Sequence, residues 1–293
     1  MTRYNQQNTI SFVIMKLFFD PGLAKNYTSL SQKIRILTES WVDKTIYCPN
    51  CGHFEIDRYP NNKPVADFYC VNCKEDYELK SKKDTIGKKI VDGGYSTMIE
   101  RLQSNQNPNF FVLNYNLFDY SVKNFFVIPK HFFVPEIVEE RKPLALTARR
   151  AGWIGCNILL QSIPQTGKIF YVRDGQIEPK ERVLSHWQKT LFLREEKEVS
   201  AKGWLLDVMR CVEKLNKYEF CLEEVYAFQG DLSKLHPENN HIKDKIRQQL
   251  QVLRDKGYLD FTARGQYRLI YNLYPKQEVD GSNQLEYYWH TCT

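Results

Sequence analysis

No stretch of this sequence approaches the roughly 18 consecutive apolar residues that a membrane span requires. The most apolar N-terminal stretch, Ile10 to Phe19, is interrupted by Lys16. It follows no basic region of the secretory kind and precedes no small-residue cleavage site. The expectation is a chain with no signal peptide and no membrane partner, working in the cytoplasm. Internal repeats and low-complexity blocks are also missing, which argues against solenoids and arrays. A strong charge of one sign is missing too. The 41 Lys and Arg against 35 Asp and Glu leave only +6, which permits a polyanionic partner without demanding one.

What is present is an ordinary globular balance, 42% hydrophobic and 26% charged over 293 residues. At about 150 residues per domain this suggests two domains, each able to build a core without disulfides. The eight cysteines therefore fit a reducing compartment, where paired cysteines point to metal rather than to disulfides.

Along the chain, residues 1–14 read as a loose extension. Ser29 to Tyr47 carries Ile34, Leu37, Trp41 and Val42 at helical spacing, and residues 84–106 read as a second helix. Asn109 to Leu117 and Asn124 to Pro129 are aromatic and β-branched runs, expected as buried strands. Residues 141–157 are expected as an Arg-rich loop, Lys168 to Val172 as a strand ending near an Asp174-Gly175 turn, and 194–202 as a linker. Three helical patterns follow, at Gly203 to Leu215, Leu222 to Phe228 and Asn239 to Lys256. A hairpin over Tyr258 to Phe261 and Gln266 to Ile270 completes a winged-helix order. Residues 271–293 read as a tail.

Cys48, Cys51, Cys70 and Cys73 form C-x2-C-x18-C-x2-C. A two-residue gap lets a tight turn aim two thiolates at one ion, and two such turns give the tetrahedral sulfur shell of a structural Zn²⁺. The rival is two unrelated pairs or a redox motif. Cys156, Cys211, Cys221 and Cys292 have no such spacing and read as ordinary thiols.

The second cysteine pair is flanked by strand-like sequence carrying Asp67 before it and Glu78-Leu79-Lys80 after it. Strand periodicity puts Glu78 and Lys80 on one face. A hairpin turning at the cysteines brings Asp67 beside Glu78, and two carboxylates suit Mg²⁺. Lys80 then lies near an attacking water and the charge that develops on a phosphodiester. The chain has four acid-x-Lys triplets, and this is the one with strand character and an upstream Asp. The bland alternative is a solvated face of an edge strand. Lys80 to Lys89 adds five lysines against one Asp, which suits a phosphate backbone.

The segments SQKIRILTESWV, YCPNCG, PVADFYC, YELKSKK, NPNFF, RKPL, TARRAGWIGCNI, RGW, NNHIKDKIRQQLQVLRDK and RGQYR run in order from about residue 15 to about residue 269. They resemble the DpnI-like methyl-directed (type IIM) restriction endonucleases of the PD-(D/E)xK superfamily. The resemblance implies an α/β (α+β) nuclease domain with an embedded four-cysteine zinc site, then a winged-helix domain. It implies catalytic Asp67, Glu78 and Lys80. Mg²⁺ is then held by Asp67, Glu78 and the Leu79 backbone carbonyl, and Zn²⁺ by Cys48, Cys51, Cys70 and Cys73. Pro64 stands three residues before Asp67, a spread-out form of the motif.

For reading DNA, Arg149 and Arg150 can grip guanine, and Trp153 can press its ring on N6-methyl groups, as the resemblance also implies. The rival is a core Trp with two surface arginines. In the winged helix, Ile242, Ile246, Leu250 and Leu253 line one stripe at about 100° per residue. That leaves Asn240, His241, Lys243, Arg247 and Gln248 for DNA, with Asp244 among them and Arg264 in the wing. The expected domains are 1–195, 196–270 and the tail. The expected partner is double-stranded DNA methylated at adenine in GATC, bound by a monomer. The rival class is a non-catalytic zinc-ribbon and winged-helix DNA-binding regulator.

Overall fold

The computed structural model describes residues 15–60, 66–104, 106–196 and 198–270. The expectations for residues 1–14, Pro64 and residues 271–293 lie outside the described residues.

The elements run as follows: α1 (Leu30–Thr45), β1 (Asp57–Arg58), β2 (Phe68–Tyr69), β3 (Asp76–Lys83), β4 (Lys89–Gly94), α2 (Tyr95–Gln103), β5 (Asn109–Tyr115) and β6 (Val122–Ile128). Next come β7 (Val138–Glu140), β8 (Gly155–Leu159), β9 (Ile169–Arg173), β10 (Gln176–Ile177) and α3 (Lys180–Thr190). The rest are α4 (Val199–Lys214), β11 (Glu219–Cys221), α5 (Leu222–Tyr226), α6 (Gln229–Leu235), α7 (Ile242–Asp255), β12 (Leu259–Ala263) and β13 (Gln266–Leu269). They form two compact units. The first comprises the described residues up to Ile86 with Pro108–Val127 and Phe170–Leu184. The second comprises Gly87–Asn107, Ile128–Ile169 and the described residues from Ser185 on.

The first unit centres on a seven-stranded sheet of order β1-β2-β3-β5-β6-β9-β10. β3 and β5 run parallel, with Glu78 beside Phe110 and Lys80 beside Val112. Every residue of β5 is buried, as a strand covered on both faces must be, so its sequence is a near-continuous apolar run rather than an alternation. Tyr77 stacks on Phe111 at 4.4 Å, and Phe111, Phe125 and Tyr171 pack ring against ring. α1 adds Trp41, edge-on to Phe125.

In the second unit β4-β8-β7 form a small antiparallel sheet. Residues 84–106 are therefore not one helix. Ile90 and Val91 pair with Ile158 and Asn157, and only Tyr95 onward is helical. The Gly93-Gly94 pair lowers helix propensity at the junction, and Ile90, Tyr95 and Met98 mimic a helical stripe by accident of spacing. The expected loop over 141–157 ends earlier, since β8 begins at Gly155.

The last part is a helix-turn-helix with a wing. β11-β13-β12 make its sheet, and Ile242, Ile246, Leu250 and Leu253 are buried on α7. Three details differ from the sequence reading. α4 starts at Val199, inside the expected linker, because its first turn, Val-Ser-Ala-Lys, follows a charged stretch and shows no core period. α6 and the three-residue β11 are too short to carry a recognisable pattern.

Candidate zinc site and carboxylate cluster

The two cysteine pairs sit in equivalent turns. In the first, the Gly52 amide donates to the Cys48 carbonyl at 2.9 Å and the Cys48 amide to the His53 carbonyl at 2.8 Å. In the second, the Lys74 amide donates to the Cys70 carbonyl and the Cys70 amide to the Glu75 carbonyl, both at 2.9 Å. Each turn ends on a residue with positive φ, Gly52 at 75° and Lys74 at 62°. The four Sγ atoms lie within 4.8 Å of one another. Cys48 and Cys73 approach to 3.4 Å, Cys51 and Cys70 to 3.6 Å. Tetrahedral coordination at about 2.3 Å per Zn–S bond requires about 3.8 Å between sulfurs, so the cluster can hold a zinc ion. The Tyr77 hydroxyl lies 3.2 Å from Cys48 Sγ, the outer-shell donor that steadies a thiolate. Burial pushes the Cys48 and Cys70 thiols up. At Cys51 burial also pushes upward, but hydrogen bonds from the Asn72 side chain and the His53 backbone outweigh it and bring the thiol down to about 7.

Gly52 is where a turn requires glycine. A Cβ there would meet Leu184 Cδ1 at 3.3 Å as well as the left-handed φ. Gly52→Ala is expected to cost about 1–2 kcal/mol, a fall of a few degrees in a calorimetric melting scan.

The Cys70–Cys73 turn joins β2 to β3. Phe68 pairs with Tyr77 and Tyr69 with Asp76 in antiparallel register, and the Asp67 amide donates to the Tyr77 carbonyl at 2.9 Å. The Asp67 carboxylate accepts from the Leu79 amide at 2.7 Å, and Lys80 Nζ donates to Glu78 Oε1 at 2.5 Å. Buried Asn109 ties β5 to this hairpin through Glu75 Oε2 at 2.8 Å and the Asp76 carbonyl at 2.9 Å.

A third carboxylate was not anticipated from sequence. Glu39 on α1 is only 6% exposed. It accepts from Arg35 Nε at 2.6 Å and from Arg58 Nη2. Burial pushes the Asp67 carboxyl up, the Leu79 amide pulls it down, the Glu39 charge raises it again, and Lys80 and Arg35 oppose that rise. One signal was available. Glu39 lies between Thr38 and Trp41 within the buried stripe of α1, where an acid needs a partner.

The expected DNA-reading residues fall in two places, both in the second unit. Arg149 and Arg150 are exposed and Trp153 is half-buried. The Arg150 guanidinium lies 4.3 Å over the Trp153 ring. The loop is closed at its base by Leu144 N to Trp153 O at 2.9 Å and Gly152 N to Leu144 O at 3.0 Å. A Cβ on Gly155 would lie 2.8 Å from the Trp153 ring, so glycine lets the ring approach this close. On the winged helix Asn240, His241, Lys243, Arg247, Gln248 and Arg264 are all exposed. Lys243 and Arg247 lie over the Tyr226 ring, and Asp244 is 3.9 Å from Arg247.

A mixed α/β domain bearing a four-thiol metal site, followed by a winged helix-turn-helix domain, defines a two-part DNA-binding protein. The DpnI sequence model, that of the Dam-replacing family, matches residues 15–196, and the model of the Dam-replacing HTH domain matches residues 200–269. The chain belongs to this family and is a DpnI-like member of the methyl-directed restriction enzymes. Among the described residues no helix is long and apolar enough to cross a membrane.

Proposed function

We propose that this protein is a Mg²⁺-dependent endonuclease that hydrolyses double-stranded DNA at GATC sites methylated on adenine N6. The observation that carries the reading is the contact between the two halves of the motif: the Asp67 carboxylate accepts from the Leu79 amide at 2.7 Å, between Glu78 and Lys80, and Lys80 pairs with Glu78. A regulator that only binds DNA has no use for that alignment. Family membership and the helix-turn-helix domain support DNA as the partner.

The donor set suits a hard cation: two carboxylates, Asp67 and Glu78, with the Leu79 carbonyl between Glu78 and Lys80. Bound Mg²⁺ supplies Lewis-acid polarisation of the phosphodiester and a lower pKa for water. The chain's own groups do the rest. Lys80, now paired with Glu78, orients the water that attacks phosphorus and offsets the charge that builds on the phosphate oxygens. The water oxygen forms the new P–O bond and gives up a proton to solvent, the P–O bond to the leaving sugar oxygen breaks, and that oxygen takes up a proton from solvent. Glu39 positions the cluster through Arg35 and Arg58. Zn²⁺ on the four thiolates holds the hairpin and takes no part in the chemistry.

Residues 1–195 make the nuclease part and 196–270 the second reader in this proposal, working as a cytoplasmic monomer. Arg149 and Arg150 approach the duplex around Trp153. Asn240, His241, Lys243, Arg247 and Gln248 enter a groove from the start of α7, with Arg264 on the backbone. Burying one methyl contributes about 0.8 kcal/mol, or about fourfold, so two methyls give about fifteenfold. Trp153→Ala is therefore expected to cut the preference for methylated over unmethylated duplex by about four- to fifteenfold in a competition cleavage assay. Its melting temperature should stay near wild type, since the ring is half-exposed. An unfolded variant would make Trp153 a core residue instead.

The proposal as a whole is tested with four short duplexes in Mg²⁺: methylated GATC, hemimethylated GATC, unmethylated GATC, and methyladenine in another sequence. Cutting confined to methylated GATC is the expected result. Equal cutting of the methylated and unmethylated duplexes would remove methyl direction. Equal cutting of methyladenine elsewhere would remove GATC specificity.

A further inference from the structure

Asn107, just before β5, is 5% exposed, and among the described residues neither atom of its amide has a hydrogen-bond partner. Burying such a group unpaired is costly, so native proteins pair it with protein, water or ligand. Its side chain borders a cavity of about 480 Å³, within the usual range for small-molecule sites. The same wall carries Lys130, His131, Phe133, Arg194 and Lys202, with Glu196 as the one carboxylate among the lining residues.

The positive charges are held in place. Thr190 Oγ1 donates to the Trp187 carbonyl at 2.8 Å, which leaves it as acceptor for His131 Nε2–H at 2.8 Å. His131 Nδ1 then accepts from Arg194 Nε at 3.3 Å. The imidazole is neutral: burial, then the charges of Arg194, Lys202 and Lys130, push it well below its ordinary range. Both ring nitrogens are thus used to fix the Arg194 guanidinium at the cavity wall. Lys202 on α4 is lowered by burial, and Glu196 only partly restores it. Three cations facing one carboxylate suit an anion. A neighbouring amide with a free donor and a free acceptor suits the edge of a base, as asparagine pairs with adenine.

We propose that this cavity binds a nucleoside monophosphate, with its phosphate on Lys130, Arg194 and Lys202 and its base edge on Asn107. Phe133 supplies the apolar wall. None of these residues belongs to the group around Asp67 and Glu78, and the inference does not depend on cleavage activity.

Calorimetric titration of the whole protein, without DNA or Mg²⁺, tests it with three probes: dAMP, deoxyadenosine and inorganic phosphate. The expected result is dAMP binding tighter than about 1 mM, with deoxyadenosine and phosphate each weaker by about tenfold or more, as loss of a charge-assisted contact implies. Lys202→Gln is expected to weaken dAMP by about tenfold. Asn107→Leu is expected to weaken dAMP and leave phosphate unchanged. Lys202 is half-exposed, so its variant keeps the test intact should Asn107→Leu fail to fold. Three results would each overturn the proposal: no dAMP binding, phosphate binding as tightly as dAMP, or dAMP affinity untouched by both Lys130→Gln and Lys202→Gln.

Discussion

Asp67→Ala is expected to reduce cleavage of methylated DNA by about a thousandfold or more while DNA affinity changes little. Removing one carboxylate of the proposed two-carboxylate cation site would forfeit several kcal/mol of stabilisation that appears only as charge develops on phosphate. At 1.36 kcal/mol per decade, about 4 kcal/mol is a thousandfold. DNA affinity rests instead on phosphate and base contacts made by other side chains. Asp67→Asn sharpens the result. Its amide oxygen still accepts from the Leu79 amide, which Asp67 does at 2.7 Å, so the hairpin keeps its register. It removes a charge that burial and the neighbouring Glu39 both disfavour, so the variant should melt at or above the wild-type temperature. Single-turnover cleavage, a binding titration and a melting scan on both variants separate the outcomes. If DNA affinity fell with cleavage, Asp67 would be a structural residue and not a cation ligand.

Cys70→Ser is expected to have the largest effect on stability. Structural zinc contributes about 10–16 kcal/mol in isolated fingers. In this chain part of that is already supplied by the turn hydrogen bonds at Cys48 and Cys70 and by Asn109 on Glu75. A loss of several kcal/mol remains, and at about 2–4 °C per kcal/mol the melting temperature should fall by about 10 °C or more. Metal analysis should show one zinc per chain in the wild type and little in the variant. Cleavage should fall with it, because the Cys70–Cys73 turn joins the strands that bring the Asp67 carboxylate against the Leu79 amide. Wild-type melting in a zinc-free variant would show that the turns hold the hairpin unaided.

The features legible in the sequence are those whose physics is local. Cys48, Cys51, Cys70 and Cys73 announce themselves because ligand spacing within a turn is written in adjacent residues. Strand periodicity is enough to place Glu78 and Lys80 on one face of β3. The aromatic runs of β5 and β6 reflect strands buried on both sides, and the stripe Ile242, Ile246, Leu250, Leu253 reflects one helix face. The features that escaped depend on distant partners. Glu39 shows in sequence only as an acid within the buried stripe of α1, and its partner Arg58 lies 19 residues on. β4 reads as helix because its pairing with β8, across more than 60 residues of chain, outweighs a fortuitous spacing. Asn107 gives no sign in sequence that its amide is buried and unpaired. For Trp153 the sequence favours a reader over a core residue, and the half-buried ring lies close to Gly155 with the Arg150 guanidinium over it.

The proposed function requires that this family member cut DNA rather than only bind it. The direct measurement is incubation of the purified protein with Mg²⁺ and two preparations of one plasmid, with and without adenine methylation, resolved on a gel. The expected result is linear and fragmented product from the methylated plasmid alone, none in EDTA. Methylated plasmid that is bound and retarded but stays supercoiled would contradict the claim and leave a zinc-ribbon, winged-helix regulator in its place.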